Sequence, residues 1–259
     1  HSGWLSGVAS GVLAGSVELR VKQHRASIIG APRIAREFVA GKIRNQRTLL
    51  RRNGAAGDAV LRQLRDLVGR AEECESVEMM LGIEGTAARI YFGQFSSMLR
   101  GNVAFDFNGR NRRPPRDRVN ALLSFVYGLL VKDTLIAALA AGLDPYIGLM
   151  HVQRFGRPSL ALDLAEEFRP LIADSVVMTL INKGEVGDAS FIERAGSVGL
   201  TVGGRRAAMA AYERRMAETL RHPVFGYPAV YRRILEIQAR LLAATLSGDV
   251  PRYRPLTTR

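Results

Sequence analysis

The chain contains a single cysteine, Cys74, among its 259 residues. One thiol cannot form a disulfide within the chain, and it cannot build a zinc site from cysteine ligands. The sequence also lacks a signal-peptide pattern and lacks an apolar run of the roughly 18 residues needed to span a bilayer. These absences exclude a disulfide-stabilised secreted domain, and we expect a cytoplasmic protein without a membrane partner.

Lysine is scarce as well, since the chain has 4 Lys against 33 Arg, yet the net charge is +13. This charge favours a polyanionic partner, and nucleic acid fits better than a membrane surface because no basic amphipathic anchor is evident. Arginine can form two parallel hydrogen bonds to a phosphate. A GC-rich genome would equally produce the excess of arginine.

Apolar residues recur at helical spacing through most of the chain, and a hydrophobic content of 47% can build a substantial core. The pattern predicts a mainly α fold, with helices over residues 31–53, 58–72, 76–99, 117–141, 159–183, 204–221 and 228–247. We expect a loop at 100–116, a small hairpin or irregular cap at 185–202, and an extended tail at 249–259.

Residues 1–20 differ from the rest because their glycines are spaced as turns between short apolar groups. They predict one or two strands, the remnant of a β-rich domain that could not fold alone. We therefore divide the chain into residues 1–20, the end of a β-rich segment with its linker, and residues 21–259, an α-helical domain with a basic tail. Because His1 is not a methionine, we expect the sequence to begin inside a larger protein or after lost residues.

The stretch from Leu149 to Asp174 joins a histidine to acidic residues on a helix. His151 precedes a turn that contains glycine and proline, and Ser159 is the predicted N-cap of the helix that follows. Asp163 and Glu166 are three residues apart and share a helix face. An imidazole beside paired carboxylates can hold a divalent metal, whereas solvated acids behind a surface histidine are the ordinary alternative.

Glu84 has apolar neighbours one turn away on both sides, which predicts a position in the middle of a buried helix face. A carboxylate there is costly unless it is paired, protonated or bound to a metal. Gly82 and Gly85 weaken the same helix by about 1 kcal/mol each, which close approach of another backbone or a ligand would offset. An ion pair with one of the many arginines is the alternative to a metal.

A polar stripe runs along the otherwise apolar helix predicted over 117–141. Its members are Asp117, Asn120, Ser124 and Tyr127. Such a stripe faces another polar group in the interior, either as a hydrogen-bond network without function or as the lining of an active site. The arginines just before it, which include Arg112 and Arg113, would supply phosphate contacts.

These segments together resemble a known family. The resemblance lies in GIEG at 82–85, RRPPRDRVNALLSFVYGLL at 112–130, LMH at 149–151 and SLALDLAEEFRPLIAD at 159–174. In this order they look like the catalytic integrase subunit of CRISPR spacer acquisition, the CRISPR-associated protein numbered one. The resemblance covers most of the chain from about residue 16.

The family resemblance implies an α-helical catalytic domain that holds Mg²⁺ or Mn²⁺. Its ligands here would be Glu84, His151 and Glu166, where many members have Asp in place of Glu166. Asp163 would be a further catalytic residue that supports these ligands. Two carboxylates and one imidazole suit either ion, and Mn²⁺ tolerates the nitrogen better.

The reaction implied is transesterification, in which the 3′-OH of captured DNA attacks a phosphodiester at the edge of a CRISPR repeat, with an associated endonuclease activity. The residues expected to contact DNA are Arg112, Arg113, Arg154, Arg157, Asn120, Ser124 and Tyr127. Arg154 and Arg157 would stabilise charge at the scissile phosphate. Surface arginines that hold Glu166 or Glu167 are the alternative.

The partners implied are double-stranded DNA (prespacer and CRISPR leader-repeat), a second copy in a homodimer, and a bridging dimer of the CRISPR-associated protein numbered two. A fused or bound Cas nuclease is also expected, in a prokaryotic cytoplasm. Two other interpretations stay open. One is a non-enzymatic helical DNA-binding module in which Glu84, His151 and Glu166 satisfy one another, and the other is a standalone nuclease that releases free ends.

Overall fold

A computed structural model describes residues 17–54, 56–100, 105–111 and 113–258, and it confirms the mainly helical fold. The helices are α1 (Val17–Ile29), α2 (Pro32–Arg52), α3 (Asp58–Glu73), α4 (Val77–Gly93), α5 (Arg118–Ala140), α6 (Ser159–Ala165), α7 (Ser175–Asn182), α8 (Val202–Ala217) and α9 (Tyr231–Ser247). The strands are β1 (Phe191–Arg194), β2 (Ser197–Leu200), β3 (Thr219–Arg221) and β4 (Pro228–Val230). Two 3₁₀ turns, Phe95–Met98 and Asp188–Ser190, and a π-helix at Arg169–Asp174 complete the regular structure.

The core forms where α2 packs against α3 and α4, and where α5 packs against α6 and α9. Asp117 caps α5, since its side chain accepts a hydrogen bond from the backbone N–H of Asn120. Among the described residues, α5 alone is long and apolar enough to cross a membrane, contrary to the expectation that no such segment exists. Half of the relevant window is buried, and a core helix passes the same test, so this is a weak indication of a membrane.

The beginning of the described chain differs from the prediction of strands. Residues 17–20 lie in α1, whereas residues 1–16, on which the rest of that prediction falls, lie outside the described residues. The fully buried Gln23 holds α1 in place, because its amide donates to the carbonyl oxygens of Asp144 (2.8 Å) and Ile147 (2.7 Å). Ser27 and Lys22 of the same helix also donate to distant carbonyl oxygens. A helix held by polar side chains has no strong apolar pattern, and the domain division at residue 20 stays a prediction.

The predicted helix over 159–183 is interrupted by the π-helix at Arg169–Asp174. Pro170 has no backbone N–H to donate to the residue four before it, and a wider turn accommodates that loss. Pro158, not Ser159, occupies the N-cap position of α6, and the Ser159 hydroxyl instead donates to the carbonyl oxygen of Val152 (3.1 Å).

Two antiparallel hairpins lie towards the end of the chain. The hairpin expected within 185–202 is confirmed, with Phe191 paired to Leu200. The second hairpin, β3–β4, pairs Thr219 with Val230. Both of its strands fall within predicted helices, β3 at the end of 204–221 and β4 at the start of 228–247. The α8 helix therefore ends four residues earlier, and α9 begins three residues later, than expected.

The extended segment 251–258, which we name the C-terminal strap, crosses α2 and is buried at Tyr253 and Leu256. The fully buried Asn45 of α2 donates to the carbonyl oxygens of both Leu256 and Glu167 (2.8 Å each). The Glu167 carboxylate in turn accepts from the Leu256 backbone N–H (3.0 Å) and from the Tyr253 hydroxyl (2.9 Å). The strap therefore ties α2 to the residue that follows Glu166.

Glu167 should make the stability of the chain depend on pH. Burial raises the pKa of its carboxyl to about 8 from the ordinary 4.5, although hydrogen bonds from Gln238 and Tyr253 oppose the rise. The folded chain then binds more protons than the unfolded chain between these values, so the free energy of unfolding falls as pH rises through them. From pH 6 to pH 8 we expect a fall of ~2 kcal/mol in urea denaturation.

The matched variant is Glu167→Gln, which cannot titrate. The difference between its pH profile and that of the wild type isolates Glu167 from the other titrating groups. The burial-raised pKa of Asp174, about 6, acts in the same direction at lower pH. Profiles that run parallel between pH 6 and pH 8 would show that Glu167 does not titrate there.

Candidate active site

Glu84, His151 and Glu166, predicted from separate motifs, converge in the structure. Glu84 in α4 and Glu166 just after α6 both contact the Nζ atom of Lys42, which lies 2.6 Å from Glu166 Oε2. His151 Nε2 lies 3.9 Å from Glu166 Oε1. Two carboxylates and an imidazole nitrogen are a suitable donor set for a divalent ion. However, no three His, Cys, Asp or Glu side chains in the described ranges are arranged to hold a metal as they stand.

Lys42 is a site residue that the sequence did not reveal. It projects from α2 with a side chain that is only 6% exposed. Burial lowers its pKa, but the carboxylates of Glu166 and Glu84 outweigh burial and the pKa is raised, so the ammonium is charged at neutral pH. The sequence does hold one signal for it: Lys42 is one of only 4 lysines, and it lies one helical turn after the apolar Phe38, on a face predicted to be buried.

Glu166 is a buried carboxylate surrounded by positive charge. Burial alone would raise its pKa, but Arg169, Lys42 and His151 outweigh burial and the pKa is lowered. Arg169 lies 3.2 Å from Glu166 Oε1, and the π-helix brings it there from only three residues away. Glu166 is therefore ionised at neutral pH, which a metal ligand requires.

Asp163 is fully buried and holds the loop that carries His151. Its Oδ2 accepts from the backbone N–H groups of Leu149 (2.6 Å) and Met150 (3.0 Å). Its Oδ1 accepts from the backbone N–H of His151 (3.0 Å) and lies 2.6 Å from His151 Nδ1. Because an ionised carboxylate can only accept, Nδ1 donates this bond, and the ring is turned so that Nε2 lies on the side of Glu166. This geometry agrees with a supporting role for Asp163, which stays a prediction.

Glu84 lies at an edge rather than in the middle of a buried face as predicted. Its side chain is 21% exposed, and its ion-pair partner is Lys42 rather than an arginine. A Cβ atom at Gly82 or Gly85 would meet nothing within 4 Å, so no other backbone approaches closely there. Both glycines face outward, and Gly85 stands beside Glu84 in the wall of a groove.

That groove, of about 630 Å³, is the cavity that opens beside Glu84. Its wall includes the cationic Arg89 and Arg110 and the aromatic Phe92 and Phe107. A positively charged groove with aromatic rings is suited to a nucleic-acid strand. A larger cavity of about 770 Å³, next to the strap, contains none of the predicted site residues in its lining.

The polar stripe of α5 organises the loop that carries Arg110. The Oδ1 atom of Asn120 accepts from Arg110 (2.6 Å) and from the backbone N–H of Asn111 (3.1 Å). The Ser124 hydroxyl oxygen accepts from Arg110 as well (3.2 Å). Because Asn120 is fully buried, the prediction that it contacts DNA directly does not fit the structure. It places a cationic residue at the groove instead.

Tyr127 is also buried, so its predicted direct contact with DNA meets the same objection. Its hydroxyl donates to Asp174 Oδ1 (2.7 Å), and the Tyr91 hydroxyl donates to Oδ2 (2.9 Å). The guanidinium groups of Arg110 and Arg169 lie 5.2 and 4.7 Å from the centre of the Tyr127 ring. Tyr127 thus links the arginine of the groove to the arginine beside Glu166.

Three other predicted DNA contacts, Arg113, Arg154 and Arg157, lie on two loops. Arg113 is exposed, whereas Arg112 lies outside the described residues. Arg154 is exposed and Arg157 half-buried in the loop after His151, and the exposed Phe155 stands between them. Phe155 was not predicted, and an exposed aromatic flanked by arginines is a recognisable signal for nucleic-acid contact.

The alternative role for Arg154 and Arg157, as partners of Glu166 or Glu167, is not what the described contacts show. Glu166 is paired with Lys42, Arg169 and His151. Glu167 accepts its hydrogen bonds within the core and from the strap. In the described contacts, the two loop arginines therefore hold neither Glu166 nor Glu167.

Known proteins resemble this chain over most of its length. Residues 1–214 match the family model for CRISPR associated protein Cas1. The chain is 46% identical to a CRISPR-associated exonuclease Cas4/endonuclease Cas1 fusion of Geobacter sulfurreducens, a match that covers 100% of this chain and 49% of the fusion. It is 42% identical to a CRISPR-associated endonuclease Cas1 of Moorella thermoacetica, with 96% of this chain and 76% of the relative covered. The chain thus spans about half the length of the Cas4/Cas1 fusions it matches.

Solved structures agree with these matches in fold. A Cas1 protein from Thermotoga maritima superposes with a TM-score of 0.76 at 28% identity, covering 90% of this chain and 73% of the other. A chain of a Cas6-RT-Cas1–Cas2 complex superposes with a TM-score of 0.82 at 25% identity, covering 93% and 27%.

Proposed function

Because the chain belongs to the Cas1 family of CRISPR-associated proteins, we propose that it is the catalytic part of a DNA integrase of CRISPR adaptation. It would join the 3′-OH ends of captured DNA to a CRISPR repeat by transesterification, and it would nick DNA at the same site when water replaces the 3′-OH. The observation that carries the proposal is that Glu84 and Glu166 contact the same Lys42 Nζ atom, with His151 Nε2 3.9 Å from Glu166 and a groove that contains two arginines beside Glu84.

The atoms proposed to hold a divalent ion are a carboxylate oxygen each of Glu84 and Glu166, and Nε2 of His151. Either Mg²⁺ or Mn²⁺ suits this set. When bound, the ion would polarise the scissile phosphate and stabilise charge on the attacking or leaving 3′ oxygen. The hydrogen bond between Asp163 and His151 Nδ1 keeps Nε2 directed towards Glu166, as a carboxylate does for many metal-binding histidines.

The groove beside Glu84 would guide the DNA strand to this point. Arg89 and Arg110 in its wall would contact phosphates, and Ser124 and Tyr127 support Arg110 from beneath. Arg154 and Arg157 would approach the DNA from the side of His151, with Arg113 further along. The attacking group is the 3′-OH of the DNA itself, so the chain needs no nucleophilic side chain.

The proposed partners follow from the relatives. Fusions of Cas4 and Cas1 support a Cas nuclease that is joined to this chain or binds it. The complex that contains Cas1 and Cas2 supports Cas2 as a partner of this chain, and its role as a bridging dimer stays a prediction. A homodimer, double-stranded DNA as the ligand and a cytoplasmic, prokaryotic location stay predictions.

The test is rejoining of a branched DNA, the reverse of integration, which uses the same site. In a branched duplex, attack of the free 3′-OH on the branch point restores a continuous strand and releases the branch. With the 259-residue chain and Mn²⁺, we expect a labelled strand longer than the starting one, lost after chelation by EDTA and in Glu84→Gln. The matched control is Glu78→Gln, an exposed acid on the same helix, which should rejoin DNA as the wild type does.

The other interpretations give different products. Shortened strands without any joined strand would favour a standalone nuclease. DNA binding without any product, equal in the wild type and in Glu84→Gln, would favour a non-enzymatic module in which Lys42 simply neutralises Glu84 and Glu166.

A further inference from the structure

Lys42 places a positive charge where the proposed metal ligands meet. Its Nζ atom contacts Glu84 and Glu166 together, and its side chain is almost completely buried. An ammonium group and a divalent cation at the same two carboxylates would repel one another strongly, because the surroundings screen little charge. The ammonium must move aside, or change partner, before a metal can bind.

At the two carboxylates that Lys42 contacts, the charges are already balanced without a metal. Glu84 and Glu166 bring two negative charges, and Lys42 and Arg169 bring two positive charges within ion-pair distance. A divalent ion would leave an excess of positive charge unless an anion enters with it. The groove beside Glu84, with Arg89 and Arg110 in its wall, is the route by which a DNA phosphate would arrive.

We propose that Lys42 keeps the metal site weak until DNA arrives, so that metal and DNA bind cooperatively. In the free chain, the ammonium group occupies the carboxylates of Glu84 and Glu166. A phosphate in the groove offers Lys42 a new partner and leaves both carboxylates to the ion. By linkage, DNA raises the affinity for the ion by the same factor by which the ion raises the affinity for DNA. The inference rests on the proposed function, since it takes both acids as ligands.

The experiment measures Mn²⁺ binding by electron paramagnetic resonance of the free ion, a readout that does not depend on strand joining. The DNA is a duplex with 3′-deoxy ends, and the Mn²⁺ bound by that duplex alone is subtracted. Without DNA, Lys42→Met should bind Mn²⁺ on the order of tenfold more tightly than the wild type. The duplex should tighten Mn²⁺ binding of the wild type by a similar factor and leave that of Lys42→Met nearly unchanged.

Three further variants make the result decisive. Lys42→Gln is also neutral but can still donate a hydrogen bond, and it should bind Mn²⁺ as Lys42→Met does. It tests the inference even if the methionine variant unfolds the site. Lys22→Met removes a lysine that pairs with Glu18 on α1, outside the site, and should match the wild type. Glu84→Gln should weaken Mn²⁺ binding in every background.

The failures of the two proposals can be told apart. If Glu84→Gln weakens Mn²⁺ binding but both Lys42 variants bind as the wild type does, the inference about Lys42 is overturned and the metal site stands. Equal tightening by the duplex in the wild type and in the Lys42 variants overturns it as well. If Glu84→Gln leaves Mn²⁺ binding unchanged in the Lys42→Met background, the metal site itself is wrong.

Discussion

Asp163→Asn is expected to lower the free energy of unfolding by about 3 kcal/mol and the rate of DNA rejoining by on the order of 100-fold. The Asp163 carboxylate accepts bonds from four donors, two at each oxygen. An asparagine offers one accepting oxygen, so its NH₂ group would face two N–H donors in either orientation. In one orientation, the backbone N–H groups of Leu149 and Met150 lose their acceptor. In the other, the backbone N–H and the Nδ1 atom of His151 lose theirs.

The loss of rejoining has a separate cause from the loss of stability. Without the bond to Nδ1, the ring of His151 is free to rotate and to exchange the proton between its two nitrogens. Nε2 would then face Glu166 only part of the time. The rate should therefore fall even where circular dichroism shows the variant fully folded, and Mn²⁺ binding should weaken with it.

The matched control is Asp144→Asn in the preceding turn. The Asp144 side chain accepts one hydrogen bond, from the backbone N–H of Tyr146 (2.9 Å), and an asparagine can accept it as well. We expect a change below about 1 kcal/mol in urea denaturation and an unchanged rate of rejoining. Equal losses in the two variants would contradict the assignment of Asp163 as the residue that positions His151.

Those residues of the site could be predicted from the sequence whose chemical role is indicated by the motif around each of them. Glu84, His151 and Glu166 each carry a ligand-type group in a distinctive local setting, and the structure brings them near one another. Lys42 could not be found in this way. Its role depends on α2 lying against both α4 and the end of α6. The spacing of residues within 31–53 cannot indicate which other helices this one will contact. The four donors around Asp163 likewise depend on how the 148–151 loop folds back.

Helices with a strong apolar period were predicted well, and the errors fall where another interaction decides the structure. The α1 helix is held largely by polar side chains, the buried amide of Gln23 and the hydroxyl of Ser27 among them, rather than by a strong apolar stripe. The segment 219–221 follows a helical pattern but pairs with 228–230 as a hairpin. Burial of Asn120 and Tyr127 could not be inferred from their place on a polar stripe, because a stripe faces the interior and a groove equally well.

Gly41→Ala is expected to lower the free energy of unfolding by about 2–3 kcal/mol and to release the C-terminal strap. Gly41 lies where the strap crosses α2, and a Cβ atom there would stand 2.5 Å from Cβ of Pro255 and 3.6 Å from Cβ of Glu167. Release of the strap would expose Tyr253 and Leu256, which are buried. Urea denaturation measures the loss, and limited proteolysis by trypsin after Arg252, whose neighbour Tyr253 is buried, should become faster than in the wild type.

The control and the rescue follow from the same contact. Gly128→Ala adds a Cβ atom on an exposed part of α5 where nothing lies within 4 Å, so it should be neutral or stabilising by up to ~1 kcal/mol. Pro255→Gly removes the atoms that an alanine at position 41 would meet. If the clash is the cause, Gly41→Ala should cost at least about 1 kcal/mol less in the Pro255→Gly background than in the wild type. Additive losses would instead place the cost within α2 itself and would separate Gly41 from the strap.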